Sequence, residues 1–253
     1  MLFGVWAFAA RRTLPAFVGW SLALGAYFLL IGLLAISLTE FLEANPRFAD
    51  LAAAAGFTGL ATVQGYVASL LLLLPVPLGL FATARVADQA QDEAAGRIPL
   101  LLSRPVGRID WATQHVAVIA AACLGMAVLT GSAAWLGTRA VGAELTYGEA
   151  IAGALNVVVV AWLSLGAAVL ALGWAPRAVA LIGALPVVGG FILWVLADTL
   201  NWPDWVGLLS PFTHVARVPA EAANWHAQVG MLAVVTVLLA IGLVGFARRD
   251  LRG

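Results

Sequence analysis

Lysine is absent from the 253 residues; all 13 basic side chains are arginine. That absence excludes a Gly-x-x-x-x-Gly-Lys-Ser/Thr phosphate loop, whose lysine must reach the nucleotide phosphates. The chain is therefore not expected to hydrolyse nucleotide by itself. Cysteine is nearly absent. Cys123 stands alone in an apolar run, which rules out an intramolecular disulfide or a cysteine metal cluster and predicts a small buried apolar side chain. Charge is scarce too: 10% of residues are charged, against about 25% in soluble domains. The formal net charge is zero, so no global field draws nucleic acid.

The histidines are His115, His214 and His226, with no paired-histidine helix motif. The apolar runs hold no Asp, Glu or Arg, and their one notable ionisable group is His115, near a run's end. A membrane metalloprotease or a proton-driven carrier needs such groups within the lipid, so both are disfavoured, and no metal site is expected. His115 is expected to sit at an interface. The opening MLFGVWAFAA has no positive charge ahead of its apolar stretch, because Arg11 and Arg12 follow it. A cleaved signal peptide is not expected.

What abounds is apolar sequence, 63% of the chain, with mean hydropathy +1.00. A hydrocarbon core about 30 Å thick needs roughly 20 apolar residues in helical form. Six stretches qualify: Leu14–Leu38, Leu60–Ala84, Trp111–Thr138, Ala150–Gly173, Ala178–Ala197 and Ala227–Ala247. The expected fold is all-α, a single six-helix transmembrane domain over residues 1–253. Pro75, Pro77 and Pro186 should kink their helices without ending them. Gly183, Gly189 and Gly190 should allow close packing, and Gln64 and Asn156 should hydrogen-bond between helices.

The arginines set the orientation. Arg11, Arg12, Arg85, Arg97, Arg104, Arg108, Arg177, Arg248, Arg249 and Arg252 fall on one side of the alternating spans. Arg47, Arg139 and Arg217 fall on the other. The positive-inside rule places the ten, and both termini, in the cytoplasm. The cytoplasmic feature of note is segment 85–110. Outside, 39–59 and 198–226 are long enough to fold locally. Trp202, Trp205, Phe212 and Trp225 in the second of these suit a headgroup-level pair of short helices, broken at Pro211 and Pro219.

Segment 85–110 carries an ordered string: Asp92-Glu93, Gly96-Arg97, Leu100-Leu101-Leu102, Pro105-Val106-Gly107-Arg108, then Trp111. It resembles the loop between the second and third helices of type-two ABC exporter permeases, most closely the antibiotic, polyketide and multidrug exporter branch. Leu209-Ser210-Pro211-Phe212 resembles that family's Ser-Pro-Phe element, and Phe246-Ala247-Arg248-Arg249-Asp250-Leu251 its endings. Pro99 and Gly107 depart from the family pattern, where Glu and Ser are frequent. Pro99 argues that the loop's helix ends near Gly96.

The resemblance implies a permease subunit in the plasma membrane. Two such halves, from the same chain or a paralogue, would join two copies of an ATP-binding-cassette ATPase. Cofactors are expected only there, as ATP and Mg in the partner. An amphipathic or apolar small molecule would be moved outward. The coupling segment would be formed by Asp88, Asp92, Glu93, Gly96 and Arg97, a short charged helix able to dock on a soluble partner. Tyr27, Phe28, Tyr66, Phe191 and Trp194 could line the pathway, although core packing serves each equally well. A secondary transporter, a non-transporting scaffold or assembly factor, and a membrane enzyme are the competing classes.

Overall fold

Helix is the only regular structure among the described residues of the computed structural model, which are 2–48, 51, 59–94, 107–200 and 202–248. Six stretches among them are long and apolar enough to cross a bilayer: Ala9–Leu33, Val63–Glu93, Ile109–Ala140, Tyr147–Trp174, Pro176–Thr199 and Trp225–Arg248. The six expected spans are all present. Their boundaries and continuity differ in physically informative ways.

The first helix, α1 (Leu2–Leu33), starts well before Leu14 and runs through Arg11, Arg12 and Pro15. Arginine is a good helix former whose stem can lie along apolar surface, so these charges do not mark the helix start. A turn at Leu34 leads to α2 (Ala35–Ala44). The second span is split into α3 (Val63–Leu71) and α4 (Pro75–Ala94) by a turn over residues 72–74. The break falls just ahead of Pro75, where the ring would clash with the carbonyl four residues back. Thr62 caps α3 by accepting from the Gly65 amide at 3.1 Å.

The third span is one helix, α5 (Arg108–Ala140), stopped by Gly142 at φ +78°. The chain returns through a capping box, in which the Glu149 amide donates to Thr146 Oγ1 at 3.2 Å and the Thr146 amide to Glu149 Oε2 at 2.7 Å. That box opens α6 (Tyr147–Asn156), which is followed by α7 (Val158–Trp174). The fifth span is built from a 3-10 turn (Pro176–Ala178), α8 (Val179–Ala184), a π turn (Leu185–Gly189) and α9 (Gly190–Thr199). Pro186 lies in the π turn and does not end the span. Between the fifth and sixth spans lie a single helical turn, α10 (Asp204–Gly207), and a 3-10 turn (Pro211–His214). The sixth span is α11 (Trp225–Arg248).

α7 is the hub, packing against α4, α5, α8 and α11, while α1 lies along α5. Burial follows from that arrangement. The fourth and second spans are mostly buried, whereas the first and fifth are mostly open along their apolar stretches. Large apolar side chains such as Leu22, Leu181 and Val229 point outward, as lipid contact permits. Backbones approach closely at glycines, including at two crossings of long helices. Gly32 and Gly137 meet where α1 crosses α5, and Gly173 and Gly242 where α7 crosses α11. Close glycine approach is how membrane helices gain dispersion energy without a hydrophobic driving force.

Candidate coupling site and pathway residues

The last three turns of α4 present Arg85, Asp88, Gln89 and Asp92 at helical spacing, and so on one face. That face turns toward α1 and α5. Arg12 of α1 forms an ion pair with Asp92, while Arg85 and Asp88 pair along α4 at 2.9 Å. Arg12, Thr13, Arg85, Asp88, Gln89 and His115, with Ile119, line a small recess. Gln89, Asp92 and His115 are each under 9% exposed. His115 is held by a 2.9 Å hydrogen bond between Nδ1 and the Trp111 carbonyl, with its ring 4.2 Å from the Trp111 ring. It is thus a buried member of this seam, not the interfacial residue its place near Trp111 indicated. Trp111 stacks on Phe246 at 6.3 Å, which brings α11 to the same end.

Of the five coupling residues expected from sequence, the structure therefore divides three. Asp88 and Glu93 are partly exposed, whereas Asp92 turns inward to Arg12. Gly96 and Arg97 lie outside the described residues, as does the expected helix end near Gly96.

The five candidate pathway residues fall in two places. Tyr27 and Phe28 meet edge to face at 5.3 Å on α1, with Tyr27 about half exposed and Phe28 buried. Tyr66 is buried on α3 and donates its hydroxyl to the Ile31 carbonyl at 3.1 Å, so it ties the first span to the second. Phe191 and Trp194 lie 6.0 Å apart on α9, and both pack on Phe212, at 5.6 and 6.2 Å. The Ser-Pro-Phe element is the clamp here. Ser210 Oγ donates to the Gly190 carbonyl at 2.8 Å and accepts from the Phe212 amide at 3.2 Å. Pro211 lies so close over Gly190 that a β-carbon there would come within 2.8 Å of the ring.

The same end holds a polar network that sequence identified only in part. Asn156 Nδ2 donates to the Ala216 carbonyl at 2.8 Å, and Gln228 Nε2 donates to Asn156 Oδ1 at 2.9 Å. The helix-to-helix role expected of Asn156 is met. Gln64 instead reaches the Glu144 carbonyl in a loop, at 2.9 Å. Gln228 could have been noticed as the amide of the sixth span nearest the same end.

Six spans, a charged extension of the second, and a Ser-Pro-Phe clamp on the fifth are the frame for comparison. A family model described as "Multidrug efflux system permease Rv1217c, C-terminal domain" matches residues 2–247. The chain belongs to this permease family. A curated relative, the multidrug efflux system permease protein Rv1217c of Mycobacterium tuberculosis (strain ATCC 25618 / H37Rv), is 28% identical over 242 residues. The match covers 92% of this permease but 42% of the relative, so the chain spans about two-fifths of the relative's length. An ABC-type permease, as the string from Asp92 to Trp111 and Ser210-Pro211-Phe212 implied, is what the comparison supports.

Proposed function

We propose that this permease is the membrane-spanning subunit of an ATP-binding-cassette exporter. It moves an amphipathic or apolar small molecule out of the cell, using ATP hydrolysed by a partner subunit. The family match over nearly the whole chain carries the proposal. The relative's greater length supports a working unit larger than one such chain. A second six-helix half, from another copy or a paralogue, supplies the other wall of the pathway. The peripheral first and fifth spans are the natural faces for it, since they are the least buried. Two ATPase copies then dock on the arginine-rich side, at the outward-facing positions of segment 88–97, which exclude the inward Asp92.

The arginine-rich end lies in the cytoplasm of a cell whose plasma membrane holds the protein. Cysteine labelling from outside intact cells tests this, after replacement of buried Cys123. Asp92 is buried, so exposed Gln91 is the informative probe beside it. Cysteines at Glu43 and Trp205 should react and one at Gln91 should not. Labelling at Gln91 with none at Trp205 would invert the topology.

Energy supply has its own test. The purified chain should show only background ATP hydrolysis, and adding its ATPase partner should produce substrate-stimulated turnover. Hydrolysis that copurifies with the chain alone through two unrelated purifications would end the proposal.

A further inference from the structure

The ion pair between Arg12 and Asp92 stands where two helices otherwise hardly pack. α1 lies along α5, and its body scarcely meets α4. At the opposite end of the first span, the Tyr66 hydroxyl holds the Ile31 carbonyl. The first span is thus fastened to the second at two points, one toward each end, and leans on the third between them.

A polar fastening of this kind is not explained by stability. Asp92 is 8% exposed, and its partner Arg12 lines a recess with buried Gln89, Thr13 and His115. Well-packed apolar side chains would stabilise such a place as well or better, because removing two charges from water offsets most of their attraction. What an ion pair adds is selectivity of contact: it fixes which groups meet and opposes sliding. The Arg12 side chain is 37% exposed against 11% for Asp92, so the pair is the more open on its α1 side.

We infer that the Arg12–Asp92 pair is the linkage through which displacement of the α4 end reaches the first span. Asp92 is then a positioning residue for transport, and not a docking charge. The inference rests on the proposed meeting of segment 88–97 with an ATPase. Asp88 and Glu93, on more open positions, receive the partner's motion. Asp92, on the inward face, passes it to Arg12. Because α1 is continuous from Leu2 to Leu33, a pull at Arg12 is carried along one helix to the Ile31–Tyr66 contact at the other end.

The test uses the assembled permease–ATPase complex in proteoliposomes, with hydrolysis and export measured together. The neutral pair Arg12→Gln with Asp92→Asn removes both charges of the ion pair together. It should assemble and hydrolyse as the parent does, but spend roughly tenfold more ATP per molecule exported. Asp92→Arg alone should lose export by a similar factor, and joining it to Arg12→Asp should recover most of the loss. A swap that recovers nothing, or a neutral pair that exports at the parental ratio, overturns the inference while leaving the exporter proposal standing. A parent chain that retains no ATPase removes both, and that outcome is visible before any variant is made.

Discussion

Gly242→Ala is expected to lower the unfolding midpoint of the detergent-purified protein, whereas Gly230→Ala in the same helix should leave it unchanged or raise it. A β-carbon on Gly242 would come within 2.5 Å of the Val169 carbonyl oxygen and 2.7 Å of the Leu170 nitrogen. Both are backbone atoms of α7, and backbone cannot rotate away as a side-chain tip can. The opposing Gly173 faces Gly242 just as tightly, so α7 and α11 must separate together. Overpacking of this kind costs about 1–3 kcal/mol. Gly230 has nothing within 4 Å of its built β-carbon, and alanine there gains up to about 1 kcal/mol of helix propensity. Equal midpoints for the two variants would mean that the α7–α11 crossing is not close-packed.

Reversing charge in the coupling segment should have the larger effect on function. Glu93→Arg and Arg97→Glu are each expected to weaken ATPase copurification while membrane insertion is unchanged. A docked charge whose desolvated partner is lost costs about 2–5 kcal/mol, or roughly thirtyfold and upward in dissociation constant. A merely solvated loop would lose about 0–1 kcal/mol for the same changes. Arg47→Glu, which lies beyond α2 at the other end of the first span, serves as the control. Both loop variants assembling and exporting as the parent does would withdraw the coupling role from residues 88–97. The effect also differs in kind from that at Asp92, where assembly should survive and only the yield of export should fall.

The spans were legible because lipid imposes one rule on backbone groups, and six apolar runs of the right length obey it. The arginine alternation is legible for a similar reason. Where helices break was less so. Pro75 and Pro77 announce a kink, but whether the chain bends or splits depends on how neighbours hold the freed carbonyls, and three turn residues are used here. The start of α1 was hidden because Arg11 and Arg12 punctuate hydropathy without punctuating helix.

At the candidate site, composition pointed to the charged turns of α4 but could not rank them. Asp88, Asp92 and Glu93 differ in which side of one helix they occupy, and only the placement of α1 beside α4 makes Asp92 inward. Arg12 looked like a topology signal alone. Its second role needed a partner eighty residues away in sequence, the kind of pairing a single chain read in order does not disclose. By contrast Ser210-Pro211-Phe212 was found by resemblance, and the structure supplies its physical content as a clasp on Gly190.

The π turn in the fifth span has an effect on phase. An α-helix advances about 100° per residue, and a π turn inserts one residue that the α-helical repeat does not accommodate. Everything from Gly190 outward is therefore rotated by about that angle relative to a helical wheel drawn continuously from Val179. On that uncorrected wheel, Phe191 and Trp194 fall on a face they do not occupy, and their shared contact with Phe212 disappears. The two halves of this span are gears meshed one tooth apart, and each must be indexed from its own side of Pro186.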